Sequence, residues 1–182
     1  LLIAVWQGIF YVCKKADKTF KRVAFGYFLL MLVLLLLTWP GIWRMDEFGI
    51  LTSAVQLFPH FWQNYITSVF YIYALMLFPF PAGVILVQII CISLIIARLV
   101  TLCLSAEPEQ IRKNKRNICY VLLLVPFLLL PVLDSNLYPM RVSMHAFLEL
   151  WLLTELYFNG KKNTMPAWYL SVLAAVVTVW RT

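Results

Sequence analysis

Charge is what this 182-residue chain has least of: Asp, Glu, Lys and Arg make up 13% of it, against 63% hydrophobic residues and a mean hydropathy of +0.86. Soluble domains usually carry about 25% charged residues, so the scarcity excludes an ordinary soluble domain and points to an integral membrane protein. Several chemistries lack their signals as well. There is no Walker-type Gly-Lys-Ser/Thr, no Gly-x-Ser-x-Gly, no His-Glu-x-x-His and no Gly-x-Gly-x-x-Gly, which removes the phosphate loop, the nucleophile elbow, the zincin helix and the dinucleotide fingerprint. Cys13, Cys91, Cys103 and Cys119 have no paired or zinc-type spacing and read as free thiols near or inside the bilayer. The first residues, 1–12, lack a basic n-region and a small-residue cleavage site, so they are no signal peptide. They read as a partial span, and the chain as a fragment truncated at both ends.

What the chain has instead is a series of apolar runs, at 23–39, 82–104, 119–133, 142–158 and 167–180, with another at 64–80. A spanning helix needs roughly 20 mostly apolar residues, and all but the run at 64–80 read as spans. The net charge of +7 needs no nucleic acid to explain it, because Lys and Arg cluster between the runs. Three loops are basic: 13–22 (Lys14, Lys15, Lys18, Lys21, Arg22), 105–118 (Arg112, Lys113, Lys115, Arg116) and 159–166 (Lys161, Lys162). Two are poor in Lys and Arg: 40–63, with Arg44 only, and 134–141, with Arg141 only. The positive-inside rule puts the basic loops in the cytoplasm and the other two outside the cell.

The chain must then cross an even number of times between 13–22 and 105–118, although three apolar runs lie there. The one that does not cross is 64–80, which carries Asn64, Thr67, Ser68, Tyr71 and Tyr73 and ends in Phe78-Pro79-Phe80-Pro81. It reads as a re-entrant or juxtamembrane helix with both ends outside, a geometry tolerated at membrane depth where protein or a wet cavity adjoins it. The expected fold is all-α: one polytopic helical membrane module over 1–182.

Candidate chemistry collects in the two outer loops. Trp39-Pro40-Gly41-Ile42-Trp43 closes the first full span with interfacial aromatics and a helix-ending Pro-Gly, and Asp46-Glu47 follow within one turn of the surface. After them, Phe48, Leu51, Val55 and Phe58 share one helical face and Asp46, Gly49, Ser53 and Gln56 another. That is an outer amphipathic helix over 46–58, with Asp46 a natural N-cap and Glu47 suited to the helix dipole. A carboxylate at this exit also suits a general base. His60 and Gln63 end the same outer segment, where a His among aromatics serves as an interfacial anchor or lines the same cavity. With one His and no further acid at ligand spacing, these residues argue little for a protein-only metal site.

The second outer loop offers Asp134, Tyr138 and Arg141. Arg141, His145 and Glu149 then descend one helical face, with Glu149 about 12 Å below Arg141. A charge at that depth is expected to face the bundle interior or a wet cavity. Arg141 suits a lipid phosphate through its planar fork of donors, and Arg98 and Glu155, at similar depths on the cytoplasmic side, are expected to pair.

Those residues in that order resemble the N-terminal membrane module of GT-C-type glycosyltransferases, which use polyprenyl-phosphate sugars. The resemblance rests on a span, Trp-Pro-Gly, the outer acidic pair Asp46-Glu47, an amphipathic helix, and His60-Phe61-Trp62-Gln63-Asn64-Tyr65 opening an apolar helix. The family commonly has a His-Pro-Pro-Leu-like segment at that last landmark, where Phe61-Trp62 stand here in place of Pro-Pro. Pro131 to Arg141 looks like the family's later outer loop near the donor phosphate, and the likeness covers roughly residues 23–158. It is nearest to bacterial members with Pro-Gly followed by Asp-Glu after the first span.

The resemblance implies transfer of a sugar from a lipid phosphate to a glycan or lipid acceptor on the outer face of the cell membrane. Asp46 and Glu47 would be the catalytic pair, and His60, Gln63, Asp134, Tyr138 and Arg141 would bind substrate. A divalent metal, Mg or Mn, is used by some members and not by others; Asp46 and Glu47 would be its ligands. The rival readings are a non-enzymatic carrier or flippase of lipid-linked saccharides, depending more on Arg98, Arg141 and Glu149, and a structural membrane subunit.

Overall fold

Asp17 Oδ1 accepts the Lys18 N–H at 2.7 Å and so starts the first helix, α1 (Lys18–Leu37). The computed structural model describes residues 17–58, 65–106, 119–139, 141–162 and 167–181; the partial span at 1–12, the start of the loop 13–22 and most of the loop 105–118 lie outside them. At the far end of α1, the Thr38 N–H and hydroxyl both donate to the Leu34 carbonyl, at 3.0 and 2.9 Å, and Pro40 follows. Its 20 residues cover about 30 Å, the thickness of a bilayer's hydrocarbon.

The elements that follow are α2 (Met45–Val55), α3 (Tyr65–Leu77) and α4 (Pro81–Ala106). A short helix over 119–124, α5, runs into a 3-10 turn at Val125–Leu128. Then come α6 (Leu130–Ser135), α7 (Arg141–Lys162) and α8 (Ala167–Arg181). No strand occurs among the described residues.

α4 is the axis of the bundle, packed against α1, α3 and α7. Its Ile85, Ile89, Ile92 and Ile96 meet Val23, Tyr27, Met31 and Leu35 of α1, with Phe147 and Leu148 of α7 and Trp180 of α8 in the same core. A second, smaller core joins Ile50, Leu51 and Ala54 of α2 to Tyr71 and Ala74 of α3 and Val84 of α4. The buried residues of α1 recur every fourth position, a single stripe, while Phe25, Leu29, Val33, Leu36 and Leu37 stay exposed. Such a charge-free outer face suits hydrocarbon, where van der Waals packing holds helices together.

Among the described residues two helices, Lys18–Leu37 and Pro81–Ser105, are long and apolar enough to cross a membrane, matching the runs expected at 23–39 and 82–104. Ile66–Leu77, Cys119–Leu128 and Trp168–Trp180 are apolar but shorter. The described part of α3 is 13 residues, about 20 Å of helix.

The run at 119–133 is not one helix. Pro126 sits in the 3-10 turn, Leu129 is extended (φ −64°, ψ 136°), and Pro131 lies in the first turn of α6. Each proline removes a donor and crowds the preceding turn, so the ladder breaks. The outer amphipathic helix also differs from expectation. Its N-cap is Arg44, not Asp46, and it runs Met45–Val55 rather than 46–58. Its buried face is Ile50, Leu51 and Ala54, while Phe48, Val55 and Phe58 are exposed. Apolar residues lie on both sides of α2, so periodicity alone does not say which side meets protein.

Candidate functional site

Gly41 allows the loop after α1 to turn back on the bundle. It has φ +99°, and a Cβ there would run into Ile85 of α4. From it the chain passes through Ile42, whose N–H donates to the Leu137 carbonyl at 3.2 Å. That bond joins the loop after α1 directly to the loop after α6. Trp43 turns its indole N–H to the Pro40 carbonyl at 3.3 Å, and its ring lies against Phe48 and, edge-on, Tyr71.

The second loop, 134–139, is gripped by its backbone. Gln88, buried in α4, donates to the carbonyls of Tyr138 (2.8 Å) and Asn136 (3.4 Å). The Tyr71 hydroxyl donates to the Pro139 carbonyl at 2.8 Å, and Ser143 to the Ser135 carbonyl at 3.1 Å. Asn136 is fully buried and donates to the Tyr27 hydroxyl at 3.1 Å, which itself donates to the Phe127 carbonyl at 3.2 Å. Side chains from α1, α3, α4 and α7 thus fix one short loop.

At the junction, the Arg44 guanidinium lies over the Tyr138 ring, 5.1 Å from its centroid, a cation–π contact between the loops. The Arg44 N–H donates to Glu47 Oε2 at 3.1 Å, half of a capping box. Burial first, and the Glu47 charge second, hold the Tyr71 hydroxyl above the ordinary tyrosine range, so it stays a donor. Asp46 is exposed, with no partner among the described residues.

Of the residues singled out in the sequence, Glu47 and Tyr138 are therefore brought together through Arg44, with Asp46 beside Glu47 on the solvent side. Asp134 is exposed on the second loop. Arg141 opens α7 two residues after Pro139, and its side chain lies outside the described part, as do His60 and Gln63. Glu149 does not face the interior: it is half-exposed, 3.6 Å from His145 Nδ1, because the buried stripe of α7 runs through Met144, Phe147, Leu148 and Glu155.

Arg98 and Glu155 do pair, Nε to Oε1 at 2.7 Å and Nη2 to Oε2 at 3.3 Å, with the Trp151 indole N–H on the same carboxylate at 3.1 Å. The thiols of Cys91, Cys103 and Cys119 are free, as expected. Arg44, Gln88, Tyr71 and Asn136 are site residues that the sequence reading did not select. Gln88 had a signal, as the one amide in an otherwise apolar helix.

Among the described residues no group of three His, Cys, Asp or Glu is placed to hold a metal. Asp46 and Glu47 give two carboxylates, a set that fits a divalent ion only when substrate phosphate and water complete its shell. Taken together, the arrangement offers an uncommitted carboxylate and a cation on a rigid double loop at one end of a membrane-type bundle. No family model matches the chain, and comparison with curated proteins and with solved structures found no match.

Proposed function

We propose that this protein is a multi-pass membrane glycosyltransferase that moves a sugar from a polyprenyl-phosphate donor to a glycan or lipid acceptor on the extracytoplasmic face. The observation that carries the reading is the junction of the two outer loops, which sets Arg44 on Tyr138 beside the Asp46-Glu47 turn. The loops sit at the end of α1 and α4 opposite the basic residues Lys18 and Arg22, and the positive-inside rule assigns that end to the outside.

In the reaction the acceptor hydroxyl attacks the anomeric carbon. The carbon–oxygen bond to the lipid phosphate breaks, and its electron pair leaves with the phosphate. Asp46 takes the acceptor proton; its exposure leaves it open to a substrate. Glu47 is held by the Arg44 N–H and positions the turn. Arg44 and Arg141, one from each loop, meet the growing phosphate charge, the term expected to lower the barrier most. Tyr138 and Asp134 border the donor, and His60 and Gln63 continue the same outer segment. A divalent ion held by Asp46 and Glu47 would neutralise phosphate charge. The carrier reading draws less support, since Arg98 is committed to Glu155 and Glu149 points outward.

The test is transfer from a radiolabelled polyprenyl-phosphate sugar in reconstituted vesicles. Asp46→Asn is expected to lower turnover at least a hundredfold, the scale of a lost general base, with elution and thermal midpoint unchanged. Wild-type turnover in that variant removes Asp46 from the mechanism. Arg44→Gln is expected to lower turnover about tenfold or more, on the scale of a lost electrostatic donor.

A further inference from the structure

The opposite end of the bundle carries a second polar feature. A cavity of about 390 Å³ opens between the start of α1 and the end of α4, lined by Asp17, Lys18, Thr19, Arg22, Thr101, Leu104 and Ser105. Lys18 and Arg22 stand one turn apart on α1, and Thr101 and Ser105 one turn apart on α4, so two antiparallel helices each present one face to it.

The donors and acceptors are unevenly distributed. Thr101 and Ser105 turn their hydroxyl hydrogens onto their own helix, to the carbonyls of Ala97 and Leu102 at 2.9 and 2.8 Å. Asp17 holds the Lys18 N–H. Lys18 and Arg22 have no carboxylate partner among the described residues, and the Thr19 hydroxyl has no partner either. The positive end of the α1 dipole adds to the same field. The cavity lies one length of α1 from the outer loops, at the other face of the membrane. Basic pockets between helices at the cytoplasmic side suit phosphorylated headgroups, and that leaflet carries anionic lipid.

We propose that this cavity is a phosphate-binding site at the inner membrane surface, with Arg22, Lys18 and Thr19 as donors, and that its occupant is the headgroup of an anionic phospholipid. It depends on α1 and α4 crossing the membrane, not on the transferase reading, and activity has no part in its test.

The test uses the full chain in micelles with equimolar phosphatidylglycerol and phosphatidylcholine, read by native mass spectrometry. Phosphatidylglycerol is expected to be retained over phosphatidylcholine. Arg22→Gln is expected to lower that retention about fivefold, the effect of one basic residue at a membrane surface. Lys21→Gln removes the same charge one residue away, outside the cavity, and is expected to leave retention unchanged. Asp17→Asn keeps a good N-cap while removing the one carboxylate among the described lining residues, and is expected to raise retention.

Equal losses in the Arg22 and Lys21 variants mean diffuse surface attraction and overturn the site. The absence of any preference for phosphatidylglycerol overturns it too. Displacement of the lipid by millimolar inorganic phosphate overturns the lipid as occupant in favour of a soluble phosphate.

Discussion

Tyr71 shares its helix with Thr67, Ser68 and Tyr73 and donates its hydroxyl to a loop carbonyl 68 residues away. Tyr71→Phe leaves the Pro139 carbonyl unpaired and is expected to cost about 1 to 3 kcal/mol, read as a lower thermal midpoint in detergent. The pH dependence has a definite sign. Its native pKa lies above the ordinary value of 10.0, so its contribution is complete below about pH 10 and falls as pH rises beyond it. The Phe variant loses that alkaline dependence. At this scale the sequence marked the candidate residues that lie beside a chain break: Asp46 and Glu47 after Pro-Gly, Tyr138 before a proline. It was not legible for Tyr71 and Asn136, and only faintly so for Gln88, a lone amide. Each is one polar letter in an apolar or loop context, and its partner is distant in the chain.

Helices, by contrast, announced their positions, because apolar runs must be satisfied as helix in a bilayer. α4 lies within a residue or two of the run at 82–104, and α1 only begins earlier, at the Asp17 cap. The break after α5 was written in Pro126 and Pro131, but total hydropathy concealed it. The packed face of α2 was hidden because apolar residues lie on more than one side of it. That helix ends with Leu57 at φ 57°, with the Phe58 N–H on the Ser53 carbonyl and the Leu57 N–H on the Ala54 carbonyl. Glycine usually fills this position. Leu57→Gly is expected to relieve about 1 kcal/mol of backbone strain and raise the thermal midpoint in detergent. Between α4 and α7, Arg98→Met strands the buried Glu155 carboxylate and is expected to cost about 3 kcal/mol. The double variant Arg98→Met, Glu155→Leu is expected to recover most of that loss, with chemical denaturation as the readout.

As a whole, the molecule is an antiparallel pair, α1 and α4, with a polar site at each end. The positive-inside rule predicts a side for each end of that pair. Single cysteines at Gln56 and Asp134, in a chain freed of its native thiols, are expected to react with a membrane-impermeant reagent in intact cells, and one at Ser105 only after lysis. Labelling of Ser105 in intact cells would sink the outer assignment of the two loops. The way the second loop is held bears on how such a protein diversifies. Gln88, Tyr71, Ser143 and the Ile42 N–H all grip main-chain carbonyls. Every residue type supplies that same carbonyl, so the loop's path is indifferent to the outward side chains at Asp134 and Tyr138. Selection can therefore rewrite what the loop recognises without renegotiating how it folds.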